Sequence, residues 1–126
     1  MSLLILVVDD EPAVRVVLTR LLTLWGLQVT AVANGAAARD QLTHQQFNVV
    51  FSDLGMAGMN GWEVLAAVKK HDPAIRTFLV TGWGEQIEAR RAQRRGADYV
   101  IAKPFQHEEL RALVQDALVR HQGAKL

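Results

Sequence analysis

Four of the five apolar runs in this sequence end in side chains that can bind a metal ion or a phosphoryl group. These ends are Asp9-Asp10, Ser52-Asp53, Thr81-Gly82 and Lys103-Pro104. If the runs are parallel strands, their carboxyl ends meet at one rim of the sheet, where such sheets bind ligands. Three carboxylates against one ammonium leave this rim negative, and like charges this close raise one another's pKa or recruit a cation. Carboxylates with a backbone carbonyl, and without histidine or cysteine, favour Mg²⁺.

The same rim could hold a phosphoryl group. Lys103 and a bound metal would neutralise the phosphoryl oxygens, while Thr81 would donate a hydrogen bond to one of them. Asp53 is the natural nucleophile, because an aspartate can form an acyl phosphate. These residues therefore predict Mg²⁺-dependent phosphoryl transfer to Asp53.

The chain between these ends alternates between strand and helix patterns. Strands buried on both faces are predicted from continuous apolar runs at Leu3–Val8, Val49–Phe51, Phe78–Val80 and Tyr99–Ala102. The alternating stretch Leu27–Ala31 predicts a strand at the edge of the sheet. Helices are predicted at Pro12–Trp25 before Gly26, at Ala36–Leu42 after Asn34, at Trp62–Lys70, at Glu85–Arg95 before Gly96, and at Leu110–Leu118. Five βα units predict an α/β fold with a doubly wound parallel sheet.

Length and composition indicate one domain over residues 1–126. Half of the residues are apolar and 21% are charged, which is typical of a compact globule. The net charge of +1 gives no argument for direct nucleic-acid or membrane binding. Cysteine is absent, which excludes a thiol nucleophile and fits a cytoplasmic location. The run Leu3–Val8 is too short to span a bilayer and lacks the flanks of a signal peptide.

At the rim residues, the sequence resembles the receiver domain of two-component response regulators. The matching pieces, in chain order, are Val8-Asp9-Asp10-Glu11-Pro12, Asp53 to Gly61, Thr81-Gly82 and Lys103-Pro104-Phe105. The resemblance extends over nearly the whole chain. It implies a flavodoxin-like fold with strand order 2-1-3-4-5. It also implies a signalling module, not an enzyme, without an output domain in this chain.

The resemblance implies a role for each matching residue. Asp53 would be the phosphoacceptor, and its donor would be a sensor histidine kinase or a phosphotransfer protein. Mg²⁺, or Mn²⁺ in its place, would be bound directly by Asp10, by Asp53 and by the carbonyl of Gly55, and through water by Asp9.

Four further residues complete the set that the resemblance implies. Thr81, Gly82 and Lys103 would contact the phosphoryl group, and the peptide bond before Pro104 would be cis.

Two positions depart from the family pattern. Ala57 stands where the family usually has proline, and Val100 stands where an aromatic switch residue is usual. The nearest aromatic is Tyr99, and a shift of one residue along a strand points a side chain to the other face. We therefore expect the switch to lie instead in the loop Gly82-Trp83-Gly84, where glycines permit unusual backbone angles. This Thr-Gly-aromatic loop also resembles receivers attached to hybrid histidine kinases.

Other features leave alternatives open. Four arginines form a basic run, namely Arg90, Arg91, Arg94 and Arg95. This run is either a solvated helix face or part of a docking or dimer surface formed by the fourth helix, fifth strand and fifth helix. The four histidines show no metal-binding spacing. A Mg²⁺-dependent phosphatase with an aspartyl-phosphate intermediate is one alternative function, although Gly55 supplies no second acid. A pseudo-receiver that is never phosphorylated is the other.

Overall fold

The apolar runs form a five-stranded parallel sheet in the computed structural model, which describes residues 3–82 and 87–122. The strands are β1 (Leu4–Val8), β2 (Gln28–Val32), β3 (Val49–Asp53), β4 (Arg76–Thr81) and β5 (Tyr99–Ala102). Their order in the sheet is β2-β1-β3-β4-β5, which confirms the predicted fold class and places β2 at an edge. β2 begins and ends one residue later than its alternating pattern predicts.

Five helices alternate with the strands, and local sequence signals explain their ends. They are α1 (Pro12–Leu24), α2 (Gly35–His44), α3 (Gly61–His71), α4 (Ala89–Arg94) and α5 (His107–Gln122). Proline opens α1, because it has no backbone N–H to leave unpaired in the first turn. The Asn34 side chain caps α2, and Asn60 forms a reciprocal capping box with Glu63 at the start of α3. Gly26 follows α1 with φ at 87°, a left-handed conformation that glycine adopts without strain.

The fourth helix is shorter than its sequence predicts. It begins at Ala89, because Glu88 is still extended with ψ at 129°. It ends before Gly96, whose φ of 101° confirms the predicted terminator. Part of the predicted helix, Glu85 and Gln86, and the loop residues Trp83 and Gly84 lie outside the described residues.

Each face of the sheet has its own apolar core. The α1/α5 core contains Leu18 and Leu22 of α1 together with Leu110 and Val114 of α5. The α2–α4 core lies between the other face of the sheet and the helices α2, α3 and α4, which contribute Leu42, Val64, Leu65 and Ala92 among others. Burial on both faces explains why the central strands read as continuous apolar runs. No helix within the described residues is long and apolar enough to cross a membrane.

The strand register brings the carboxyl ends of the central strands to one rim. Asp53 of β3 pairs with Val80 of β4, and Thr81 pairs with Ala102 of β5. The backbone N–H of Lys103 donates to the carbonyl of Thr81 at 2.9 Å, which extends this pairing one residue beyond β5. The residues that follow β1, β3, β4 and β5 therefore share one edge of the sheet.

Candidate functional site

Four carboxylates and one ammonium meet at this rim. Asp9, Asp10, Glu11 and Asp53 each place a carboxylate oxygen within 4.8 Å of the others. The Nζ atom of Lys103 lies 3.3 Å from Oδ1 of Asp53 and 3.4 Å from Oδ2 of Asp9. The structure thus brings together three of the strand ends that the sequence predicts to meet, those of β1, β3 and β5.

Burial sets the electrostatics of this cluster. Asp9 is 1% exposed and Asp53 is 6% exposed. Burial raises the pKa of both carboxyl groups above the usual value, and the charge of Asp9 raises the pKa of Asp53 further, while Lys103 opposes both shifts. Burial acts to lower the pKa of Lys103, but its bond to Glu11 and the charges of Asp53 and Asp9 outweigh burial and raise that pKa.

Glu11 is a member of this cluster that has no predicted role. Its Oε1 atom accepts a hydrogen bond from Nζ of Lys103 at 3.0 Å, the shortest of the three ion pairs that Lys103 makes in the described residues. The Glu11 side chain is 60% exposed, whereas that of Lys103 is 19% exposed. Glu11 directly follows Asp9-Asp10, so its position next to the strand end is the sequence signal that could have identified it.

The donor set fits a hard divalent cation. Oδ1 of Asp9 accepts from the backbone N–H of Glu11 at 2.9 Å, whereas its buried Oδ2 accepts no hydrogen bond within the described residues and lies 3.4 Å from Nζ of Lys103. The single ammonium of Lys103 is shared among Asp9, Glu11 and Asp53, so the cluster keeps a negative charge that a divalent cation would compensate. All four carboxylates offer oxygen, the ligand that Mg²⁺ prefers. Gly55 is exposed two residues after Asp53, in the loop that leaves the carboxyl end of β3.

The two residues predicted to contact the phosphoryl group from β4 lie at its end. Thr81 is buried, with 1% of its surface exposed, and Gly82 is half-buried directly after it. Trp83, predicted to belong to the switch, lies outside the described residues. The Lys103–Pro104 peptide bond is cis, as expected.

Neighbouring residues of β5 enter opposite cores. Val100 packs against the α2–α4 core and is paired with Leu79 of β4. Tyr99 packs in the α1/α5 core, where its ring stacks on Phe78 at 4.6 Å and its hydroxyl donates to Asp116 of α5. The residue at the usual switch position is therefore a valine, and the tyrosine beside it serves the other face of the sheet.

The start of α3 packs directly on the strand that carries Asp53. A Cβ atom built on Gly61 would lie 2.5 Å from the carbonyl oxygen of Asp53 and 2.8 Å from Cα of Leu54. Both contacts are with backbone, so only glycine fits this position without a shift of the chain. Gly61 ends the matching piece that begins at Asp53, and its packing on the backbone explains why glycine is needed there.

Comparison with known proteins gives a consistent result. The family model described as "Response regulator receiver domain" matches residues 5–115. The chain is 36% identical over 121 residues to the response regulator protein FleR of Pseudomonas aeruginosa, covering 96% of this chain and 25% of that protein. It is 34% identical over 114 residues to sporulation initiation phosphotransferase F of Bacillus subtilis, covering 90% of this chain and 92% of that protein.

A solved structure supports the fold. A CheY-like response regulator receiver domain protein from Methanospirillum hungatei superposes with a TM-score of 0.88 at 24% identity, covering 97% of this chain and 98% of the other. The chain spans a quarter of the length of FleR and 92% of that of sporulation initiation phosphotransferase F.

Proposed function

Because this chain belongs to the family of response regulator receiver domains, we propose that Asp53 accepts a phosphoryl group from the phosphohistidine of a sensor histidine kinase or a phosphotransfer protein. The observation that carries this proposal is the contact between the Lys103 ammonium and the buried Asp53 carboxylate, 3.3 Å apart within the carboxylate cluster. A buried carboxylate beside a cation and other carboxylates suits reversible attachment of a phosphoryl group.

The chemical step is a transfer from nitrogen to oxygen. A carboxylate oxygen of Asp53 attacks the phosphorus, the P–N bond breaks, and its electron pair stays on the imidazole of the donor. Asp53 must be ionised for this attack, and Lys103 favours the ionised form because it opposes the rise in the Asp53 pKa. Lys103 then pairs with the new phosphoryl oxygens, and the Thr81 hydroxyl donates to one of them.

A divalent cation completes the proposal. Asp10, Asp53 and the Gly55 carbonyl would hold Mg²⁺ directly, with Asp9 acting through water. When bound, Mg²⁺ supplies charge neutralisation for the cluster and for the transferring phosphoryl group. The four carboxylates whose oxygens lie within 4.8 Å of one another, with only the Lys103 ammonium paired to them among the described residues, support this assignment.

A groove beside Lys103 supports a protein as the phosphoryl donor. It has a volume of 430 Å³ and is lined by residues of α1 and of the segment after β5, namely Ala13, Val14, Val17, Lys103, Pro104 and Phe105. Val17 in its lining is 44% exposed, and Ala13 and Pro104 are exposed as well. Exposed apolar side chains next to a reactive carboxylate suit the apolar face of a donor protein.

Three further elements belong to the same proposal. Phosphorylated copies would form a homodimer through the face made by α4, β5 and α5, where Arg90 is exposed. The Thr81-Gly82-Trp83 sequence supports a relationship to receivers attached to hybrid histidine kinases. The absence of cysteine supports a cytoplasmic location.

We also propose that the Gly82-Trp83-Gly84 loop rearranges on phosphorylation. In a Trp25→Phe, Trp62→Phe variant, Trp83 is the only tryptophan left to report by fluorescence. Adding Mg²⁺ and beryllofluoride, a phosphoryl mimic, should change its emission and its access to quencher. Unchanged emission and quenching after confirmed mimic binding would rule out this loop as the switch.

Phos-tag electrophoresis after treatment with acetyl phosphate tests the proposed function. We expect a shifted band that requires Mg²⁺ and is absent from the Asp53→Asn variant. No shift in the wild-type protein would instead indicate an interaction module that is never phosphorylated. Steady turnover of small phosphate esters would indicate a phosphatase.

A further inference from the structure

Three arginines, Arg91, Arg94 and Arg95, line a groove between α3 and α4. Two adjoining cavities of 520 and 370 Å³ share Trp62 and Arg95 as walls. We call them together the α3–α4 groove, whose lining includes Trp62, Ala66, Arg91, Arg94 and Arg95. Its volumes lie within the range of about 300–1,000 Å³ that is usual for ligand pockets.

The arginines of this groove are oriented toward α3. The Arg95 guanidinium lies over the Trp62 ring at 4.1 Å from the ring centre. Arg91 and Arg94 also line the groove, and their spacing of three residues is that of neighbours on one helix face. Arg90 lines neither cavity. Most of the basic run therefore serves a surface different from the face made by α4, β5 and α5.

No carboxylate of the described segments forms an ion pair with these three arginines within 4 Å. Two glutamates also line the groove. Glu63 accepts a hydrogen bond from the backbone N–H of Asn60 in the capping box, and Glu88 is exposed just before α4; in the described part of the chain, neither is paired with an arginine of the groove. Lys69 also borders it, and its ammonium is engaged by Asp98 at 2.6 Å. The free guanidiniums can each bind a carboxylate through two parallel hydrogen bonds.

We propose that the α3–α4 groove binds an acidic segment of a downstream protein partner. Tryptophan and arginine are the residues that most often dominate the energy of protein interfaces, and here they lie in contact. The apolar surface of Trp62 and Ala66 would take an apolar side chain of the segment, while Arg91, Arg94 and Arg95 would pair with its carboxylates.

Both walls of the groove connect to the phosphorylation site. α3 begins at Gly61, which packs on the carbonyl of Asp53, and α4 follows β4, which ends at Thr81. A change at Asp53 can therefore alter the separation of the two helices and the shape of the groove. This coupling rests on the proposed function, whereas binding of the acidic segment does not.

The probe for the test is a short fluorescein-labelled peptide of glutamate and leucine, measured by fluorescence anisotropy with the full chain. The same peptide with glutamine in place of glutamate is the neutral control. We expect the double variant Arg91→Glu, Arg95→Glu to weaken binding of the acidic peptide by about tenfold or more, because the loss of even one of its two charged contacts would have that effect. The double variant Arg20→Glu, Arg39→Glu changes the net charge equally at exposed sites on α1 and α2, and should bind within about twofold of wild type.

Several results would overturn the proposal. They are the absence of saturable binding, equal binding of the neutral peptide, and equal weakening by the Arg20 and Arg39 reversals. Displacement of the peptide by micromolar tripolyphosphate at constant ionic strength would identify a phosphate site instead. A wild-type dimer in sedimentation that Arg91→Glu, Arg95→Glu dissociates would identify a second copy of the chain as the occupant.

Acetyl phosphate labelling of the same preparations separates the two proposals. Labelled protein that does not bind the peptide contradicts only the groove. Unlabelled protein that binds the peptide through its arginines contradicts only the proposed function. If both hold, beryllofluoride with Mg²⁺ should change peptide affinity by about threefold or more, which is within the usual range of coupling between sites.

Discussion

Replacing Lys103 by alanine should tighten Mg²⁺ binding while it impairs the response to phosphorylation. The Lys103 ammonium lies 3.3 Å from the Asp53 carboxylate and 3.4 Å from that of Asp9, so a divalent ion held by these carboxylates is repelled by it. One charge against two at about 4 Å costs about 2 kcal/mol in bulk water. Salt screens only part of this repulsion, because the Lys103 side chain is only 19% exposed. We therefore expect a gain of about 1.4 kcal/mol, or about tenfold in Kd.

Isothermal titration calorimetry with MgCl₂ measures this change directly. Lys70→Ala is the matched control, because it removes the same charge from an exposed position at the end of α3. Lys103→Arg keeps the positive charge and should bind Mg²⁺ nearly as the wild type does. Loss of Mg²⁺ binding in Lys103→Ala, with an unchanged circular dichroism spectrum, would refute the electrostatic reasoning. An equal gain in Lys70→Ala would show that only the net charge matters.

Three other predictions concern the surroundings of this pair. Without Mg²⁺ at neutral pH, Asp53→Asn should raise Tm by about 4 °C, or about 1 kcal/mol. Burial and the charge of Asp9 raise the pKa of Asp53 in the folded protein, so the ionised carboxylate lowers the free energy of unfolding at neutral pH. The gain in Tm should therefore shrink as the pH falls toward 3.8, where the wild-type carboxyl is protonated as well. Gly61→Ala should lower the free energy of unfolding in urea by about 1–3 kcal/mol and reduce phosphorylation, because its Cβ would lie 2.5 Å from the carbonyl oxygen of Asp53. Gly55→Ala is the control and should change neither quantity, because no atom lies within 4 Å of its Cβ. Tyr99→Phe should cost about 1 kcal/mol, since it removes the hydroxyl that donates to the carboxylate of α5, and should leave Phos-tag labelling unchanged.

The strand ends could be predicted from sequence because they depend on two robust signals. Continuous apolar runs identify buried parallel strands, and the topology of such sheets brings their carboxyl ends together. Asp9, Asp53 and Lys103 follow from these signals alone, without any knowledge of side-chain positions. The opposite directions of Tyr99 and Val100 follow equally well, because side chains alternate along a strand.

The features that escaped prediction depend on packing between distant segments. The bond of Glu11 to Lys103 joins two long side chains 92 residues apart in sequence, and no pattern encodes their rotamers. The need for glycine at position 61 arises only when α3 meets the end of β3. The contact of Arg95 with Trp62 likewise requires α3 and α4 to be packed together. The late start of α4 at Ala89 reflects an extended Glu88, which helix propensity alone does not indicate.

The separation of the two cores by the sheet has a consequence for protein engineering. Alternate side chains of one strand serve different cores, as Tyr99 and Val100 do, so the exposed residues of α1 and those of α3 and α4 can be exchanged with little mutual interference. Substitutions that are far apart and share no partners are usually additive. If α1 contacts the phosphoryl donor and the α3–α4 groove the downstream partner, as proposed, a chimera would keep its own input specificity and acquire the output specificity of a relative, as an exchangeable component of a synthetic signalling circuit.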